Sequence, residues 1–268
     1  MSDASIEPVA RAMGGGATTR PMSRWQAAGI HLGISALIAA LVMGVLFLIW
    51  YPSTYFTAMG GEQLVYLLVG CDVVLGPLIT LVVFKAGKKG LRFDLAVIGF
   101  LQSAALTYGV LIAAEARPVY TAFVVDRFEV VAANDIEREE LAKVTRPELK
   151  SLSWTGPRIV AALKPTDPNE QFRIVMMAPQ GKDLQHFPQL YVPYAEVAAE
   201  AGRRAQPLSA LRRFNPERTD EIDMFLRRHN LIEADVGFLP MRAKRALRAV
   251  MLNRSGEILG ILDLMPWK

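Results

Sequence analysis

Three long apolar stretches occupy the first 114 residues of this 268-residue chain. They cover about residues 25–50, 64–84 and 95–114, and each reaches the roughly 20 residues that a helix needs to cross a hydrocarbon core of about 30 Å. The pattern therefore predicts a membrane protein with three N-terminal transmembrane helices within residues 24–115. Residues 1–23 contain few large apolar side chains and are predicted to be a disordered cytoplasmic tail.

After the third stretch the apolar runs become shorter, and polar turns separate them. Val119–Val131 is rich in β-branched and aromatic residues and predicts a strand or a hairpin, and Phe172–Met177 predicts a strand. Glu217–His229 predicts a helix, because Ile222, Phe225 and Leu226 line one face. Ala246–Leu252 and Glu257–Leu264 flank a Ser-Gly turn, which is a strong hairpin signal. Residues 116–268 are therefore predicted to form an α+β domain with an antiparallel sheet.

Positive charge is unevenly placed between the apolar stretches. The first gap has no lysine or arginine, whereas the second contains Lys85, Lys88, Lys89 and Arg92. Because positive residues stay on the cytoplasmic side, the N-terminus and the second gap are predicted to be cytoplasmic, with residues 116–268 outside. The first stretch is longer than the apolar part of a signal peptide, so we expect an uncleaved anchor.

Composition narrows the classes of function. The net charge of +4 is spread over both halves of the chain, so no basic face for nucleic acid is expected. The only cysteine, Cys71, falls in the second apolar stretch, and His186 and His229 lack a ligand-like companion three or four residues away. We therefore expect no metal, no cofactor and, in the absence of a catalytic motif, no enzyme activity.

Asp72 is the most unusual residue, because a carboxylate inside a spanning helix is rare and is a functional candidate. At 1.5 Å per residue, it falls level with Thr107 and Tyr108 of the third stretch. His31 falls level with Gln102 in the same way. Three interpretations remain open: these pairs only fix helix packing, Asp72 meets a polar group on a client helix, or it belongs to a proton relay.

The step Gly76-Pro77 interrupts the second stretch. Proline frees a backbone carbonyl, so this step is predicted to kink the helix. The lysines and arginine of the second gap are chiefly a topology signal, and they are also expected to touch anionic lipid.

A set of short strings between residues 24 and 131 is specific as an ordered series. In order they are Arg24-Trp25, His31-Leu32, Ser35, Trp50-Tyr51-Pro52, Tyr55-Phe56, Gly60-Gly61, Leu67-Leu-Val-Gly-Cys-Asp72, Leu75-Gly-Pro-Leu-Ile-Thr-Leu81, Phe84-Lys85, Asp94-Leu95, Leu101-Gln102, Tyr108-Gly109, Ala116-Arg-Pro-Val-Tyr120 and Asp126-Arg-Phe128. In these strings the chain resembles the TfpX/TfpZ-like family of type IV pilin accessory proteins. The resemblance supplies no catalytic residues.

The resemblance implies a non-enzymatic accessory factor in the bacterial inner membrane that assists pilin stability or pilus assembly. Its expected partners are a type IV pilin, major or minor, inner-membrane pilus assembly proteins and the lipid bilayer. A pilin carries a long apolar N-terminal helix, which the membrane helices could contact while the periplasmic domain contacts the pilin head. The alternative is a membrane-anchored sensor of a periplasmic ligand, although residues 1–23 are too short for a cytoplasmic output module.

Overall fold

The computed structural model describes residues 22–267 and, within them, leaves the side chains of Leu64, Leu67, Leu68 and Cys71 undescribed. The predicted tail over residues 1–23 therefore lies outside the described residues, apart from its last two positions. A helical part precedes a domain that is built on one sheet.

The helical part contains two long helices and three shorter ones. They are α1 (Arg24–Val45), α2 (Tyr55–Ala58), α3 (Gly61–Val69), α4 (Gly76–Val83) and α5 (Leu91–Ala116). A π-helical turn over Leu46–Trp50 prolongs α1, and a second one over Gly70–Leu75 links α3 to α4. Helix α4 packs along α1 and contacts α5, so the apolar segments form a bundle.

Within residues 22–267, two helical stretches are long and apolar enough to cross a membrane, Arg24–Trp50 and Leu91–Ala116. Only 11% and 6% of their most apolar segments are buried, so neither is enclosed as a core helix would be. The prediction of three spanning helices was therefore wrong. Among the described residues, the middle stretch contributes only a shorter apolar helix, Asp72–Val83, in which a π turn precedes Pro77.

Eight strands form the sheet of the C-terminal domain. They are β1 (Pro118–Val124), β2 (Arg127–Ala132), β3 (Arg158–Ala162), β4 (Tyr191–Pro193), β5 (Gln206–Pro207), β6 (Val236–Arg242), β7 (Leu247–Asn253) and β8 (Ile258–Leu262). Their order is β4-β3-β1-β2-β6-β7-β8, and β5 pairs with β6. The domain is α+β as predicted.

The sheet is mixed, so the prediction of an antiparallel sheet was wrong. Strand β1 runs parallel to β3, with Tyr120 opposite Arg158, and β2 runs parallel to β6, with Phe128 opposite Met241. The other pairings are antiparallel. Long connections separate the parallel partners in sequence, and such connections are what parallel pairing requires.

Helices cover the sheet between its strands. They are α6 (Arg138–Ala142), α7 (Pro168–Met177), α8 (Ala198–Arg204), α9 (Leu208–Phe214) and α10 (Thr219–Arg228). The predicted strand over residues 172–177 is therefore wrong, since it lies in α7. The Asp167 side chain accepts a hydrogen bond from the Asn169 N–H, and Pro168 occupies the first turn, which together start a helix.

Candidate functional site

Asp72 lies in the π-helical turn that links α3 to α4, and its side chain is buried. Its Oδ1 atom has no hydrogen-bond partner within the described part of the chain. A buried polar atom without a partner costs free energy, and such an atom is a candidate for a contact with another molecule. The space around this carboxylate is therefore a candidate contact site.

A cavity of about 160 Å³ adjoins Asp72 between α1, the π turn and α5. Polar and apolar side chains share its wall, which is formed by His31, Ile34, Ser35, Ile38, Asp72, Gly99, Gln102, Ser103 and Leu106. The residues from α5 recur at the helical spacing of three and four positions, so one face of that helix forms the wall. Three of the predicted polar residues, Asp72, His31 and Gln102, thus meet at one cavity.

The hydrogen bonds around the cavity hold the widened helix. The Gln102 Nε2 donates to the backbone oxygen of Asp72 at 3.3 Å. Pro77 has no N–H to give to a carbonyl one turn earlier, so the amide supplies a donor where the helix lacks one. A side chain at Gly76 would overlap the Gln102 amide, which explains the glycine at this position. His31 does not pair with Gln102; its Nδ1 forms a hydrogen bond with Thr80 Oγ1 at 2.6 Å.

Two of the predicted polar residues lie elsewhere. Tyr108 is exposed, and the Thr107 hydroxyl donates to the Ser103 carbonyl of its own helix at 2.7 Å. The structure therefore does not bring either residue to Asp72. Depth along a helix can be counted from the sequence, but the direction of a side chain around the helix axis depends on packing. The α5 stripe at three- and four-residue spacing was the signal that could have identified the correct face.

The basic loop lies at the far end of the bundle from the sheet. Lys85, Lys88, Lys89 and Arg92 lie at the junction of α4 and α5, where Lys88 forms an ion pair with Asp94 at 2.5 Å. Helix α5 then extends over 26 residues before β1 begins, which is about 39 Å. The positive charges and the C-terminal domain thus lie at opposite ends of the two long helices.

Residues 51–63, here called the connector, dock against the C-terminal domain, a contact that the sequence did not indicate. The Tyr51 hydroxyl donates to the Ala113 carbonyl in the last turns of α5 at 2.8 Å. The Tyr55 hydroxyl pairs with Thr121 Oγ1 of β1 at 2.8 Å. Burial raises the pKa of both phenols, so both stay neutral.

Two arginines of the β6–β7 hairpin also form hydrogen bonds with the connector. The Arg245 backbone N–H donates to the Ala58 carbonyl at 2.9 Å, and its guanidinium donates to Gln63 at 3.2 Å. The Arg248 Nη2 donates to the Thr57 hydroxyl at 3.1 Å. The apolar bundle and the domain are therefore joined by several independent contacts.

Arg117 continues this junction where α5 ends. Its Nε donates to the Ser153 carbonyl at 2.9 Å, and its guanidinium lies over the Trp154 ring at 3.7 Å. Trp154 in turn contacts Trp50 at the end of α1, with ring centroids 6.0 Å apart. Burial lowers the pKa of Arg117, and the aromatic face stabilises its charge.

None of these sites resembles a catalytic or metal centre in chemistry. Among residues 22–267, no three His, Cys, Asp or Glu side chains are grouped closely enough to hold a metal ion. The Asp72 cavity has hydrogen-bonding groups and one buried carboxylate, so it can accept a polar hydrogen or a positive group. The connector couples this part of the bundle to the sheet.

Comparison with known proteins places the chain in a family. The model of "Fimbrial assembly protein FimB" matches residues 19–60, which include α1 and most of the connector. The fimbrial assembly protein of serogroup I from Dichelobacter nodosus is 30% identical over 240 residues, which cover 88% of this chain and 93% of that relative. The chain belongs to the fimbrial assembly protein family.

Other relatives of this fimbrial assembly protein agree. The serogroup E1 protein of Dichelobacter nodosus is 28% identical over the same number of residues, 240. The protein of serogroups C1 and C2 is 37% identical over 115 residues, which are 42% of this chain and 88% of that relative. No solved structure matches the chain. A pilus assembly family is confirmed at this level, whereas the narrower TfpX/TfpZ-like assignment stays a prediction.

Proposed function

We propose that this chain is a non-enzymatic accessory factor for type IV fimbriae that contacts pilin both in the inner membrane and in the periplasm. The observation that carries the assembly role is the similarity to a fimbrial assembly protein over 88% of the chain. Relatives that carry this name across nearly their whole length support an assembly role for the bundle and the domain together. The connector supports joint action, because it ties the two parts through buried hydrogen bonds.

The proposed placement puts α1 and α5 across the inner membrane, with the N-terminus in the cytoplasm and the domain in the periplasm. Two observations support it. The ends of α1 and α5 meet at the domain, where Tyr51 donates to Ala113. The basic loop around Lys88 lies at the other end of α5, as the preference of positive residues for the cytoplasmic side requires.

Reporter fusions test this placement. Alkaline phosphatase, which is active only in the periplasm, should be active when fused after Lys268 and inactive when fused after Lys89. A cytoplasmic reporter such as β-galactosidase should show the opposite pattern at the same two positions. Activity of alkaline phosphatase after Lys89 would contradict the proposed orientation.

The Asp72 cavity is proposed as the contact for the apolar helix of pilin. Oδ1 of Asp72 lacks a partner within the described residues, and the cavity beside it is open enough for a polar group of a client helix. Inside a membrane, a carboxylate that lacks a partner gains from any donor that reaches it. The contact would thus satisfy Asp72 and retain pilin before assembly.

Substitution of Asp72 separates this role from simple packing. Asp72→Leu removes the acceptor, and Asp72→Asn removes the charge but keeps one acceptor oxygen. If the contact is worth about 0.6–2 kcal/mol, as for other hydrogen bonds between membrane helices, pilin that co-purifies with Asp72→Leu should fall about 3- to 30-fold. The amount of co-purifying pilin should fall less with Asp72→Asn than with Asp72→Leu, and both variants should reach normal protein levels.

Asp94→Asn provides the matched control, because Asp94 is a second carboxylate of the bundle that is paired with Lys88 away from the cavity. It should leave pilin recovery and surface fimbriae unchanged. Normal pilin recovery with both Asp72 variants would show that the carboxylate only supports packing. Loss of pilin recovery in step with loss of protein would lead to the same conclusion.

A further inference from the structure

A basic cleft of about 680 Å³ opens on the C-terminal domain beside the connector. Four arginines line it, together with one acidic side chain and one amide: Arg218, Arg242, Arg245, Arg248, Asp263 and Asn215. Its volume lies within the range of ordinary ligand sites, about 300–1,000 Å³. The cleft lies apart from the Asp72 cavity, and the two share no lining residue among those that the structure describes.

Three of the four arginines of the cleft form ion pairs: Arg218 with Glu221 at 2.6 Å, Arg242 with Glu129 at 2.9 Å and Arg248 with Asp263. Arg248 is paired with Asp263 at 2.7 Å, yet its buried Nε has no hydrogen-bond partner among the described residues. Arg245 is exposed, and within residues 22–267 no carboxylate lies within 4.0 Å of it. A buried N–H without a partner and an unneutralised guanidinium in one cleft are features that an anionic ligand would satisfy.

The position of the cleft limits what this anion can be. Arg245 and Arg248 are the residues that hold the connector, through Ala58 and Thr57. The connector directly follows the apolar helix α1 and its π turn. If α1 crosses the bilayer as proposed above, the cleft lies at the level of the lipid headgroups on the periplasmic side.

We propose that this cleft binds the phosphate of an anionic phospholipid headgroup, an inference that rests on the proposed membrane placement. Phosphate oxygens accept the parallel N–H groups of a guanidinium in a bidentate arrangement, and several arginines together can bind one phosphate. The bound lipid would fix the angle of the domain over the membrane. The arginine cleft, rather than the cytoplasmic lysines, is then the specific lipid site.

Lipid binding by the purified full chain tests the proposal. The chain is delipidated in detergent and titrated with phosphatidylglycerol, phosphatidylcholine or inorganic phosphate, and bound ligand is measured by native mass spectrometry. Phosphatidylglycerol should bind most tightly. The double variant Arg218→Gln/Arg245→Gln should lose about fivefold in affinity for each arginine removed. Arg245→Lys keeps the charge without the planar guanidinium. Its affinity for phosphatidylglycerol should lie between those of the unchanged protein and the double variant.

The control is Arg203→Gln/Arg228→Gln, which removes two exposed arginines that line none of the described cavities. It should bind phosphatidylglycerol as the unchanged protein does. Equal affinity of the cleft and control variants would overturn the proposal, and so would equal binding of both lipids. Binding of inorganic phosphate without binding of phosphatidylglycerol would overturn the lipid as the source of the phosphate. The measurement needs no fimbriae, so its failure would leave the assembly role standing.

Discussion

Gly256→Ala is expected to lower the free energy of unfolding of the C-terminal domain by about 3 kcal/mol or more. Gly256 lies in the turn between β7 and β8 with a φ of 83°, where a side chain is strained. A Cβ at this position would also overlap the carbonyl oxygen of Ala198, which belongs to α8. Because that atom is backbone, the overlap can be relieved only by moving α8 away from the hairpin.

Gly181→Ala separates the two causes of this loss. Gly181 has almost the same φ, 81°, but no atom of the described residues lies within 4 Å of the position that a Cβ would take. It should therefore cost only the backbone strain, about 1–2 kcal/mol. Thermal unfolding of the full chain in mild detergent, followed by near-ultraviolet circular dichroism, measures both variants. An equal loss of unfolding free energy in both variants would show that a side chain at position 256 does not overlap the Ala198 carbonyl oxygen.

Tyr55→Ala is expected to weaken the attachment of the connector to the sheet by about 3–4 kcal/mol. The Tyr55 side chain is buried in the cluster that contains Phe123 and Phe128, and its hydroxyl pairs with Thr121. Its removal leaves a cavity where the connector meets β1. Protease cleavage of the connector in the folded full chain measures the loss, because a detached connector becomes a substrate.

Tyr66→Ala is the matched control, since Tyr66 is the same residue type but is 76% exposed. It should change the free energy of unfolding by no more than about 0.5 kcal/mol.

The hydrogen bond alone can be tested with Tyr55→Phe and Thr121→Val. Each should cost about 1–3 kcal/mol, because the remaining buried hydroxyl loses its partner, and together they should cost less than their sum. Strict additivity would contradict a direct bond.

These two tests concern the parts of the structure that the proposed function needs most. If pilin is held by the bundle at Asp72 and by the domain at the same time, the connector must keep the bundle and the domain in a fixed relative position. A variant with a loosened connector, such as Tyr55→Ala, should then keep its protein level better than its fimbriae.

Several features were determined by the sequence alone because they depend on neighbouring residues. The two long apolar helices follow from uninterrupted apolar composition, and the β1–β2 and β7–β8 hairpins follow from short apolar runs joined by tight turns. The helix α10 also follows from its spacing, with Ile222, Phe225 and Leu226 buried on one face. The pilus assembly family could likewise be predicted from the ordered strings of residues 24–131.

The tertiary structure decided what depends on residues that are distant in the chain. Strand β1 finds its parallel partner β3 only after a long connection, and no local pattern encodes that choice. The Gln102 amide of α5 occupies the space beside Gly76, next to the π turn over Gly70–Leu75, and no local pattern of the middle stretch encodes this contact.

The candidate site shows the same division. Counting along the helices placed Asp72, Thr107 and Tyr108 at one depth, but packing turned the last two away and brought Gln102 and His31 to the cavity instead. The arginine cleft and the connector contacts join residues nearly 200 positions apart, as Arg248 and Thr57 show. Apolar periodicity thus determines which segments form helices and strands, whereas the packing of those segments decides which polar side chains meet.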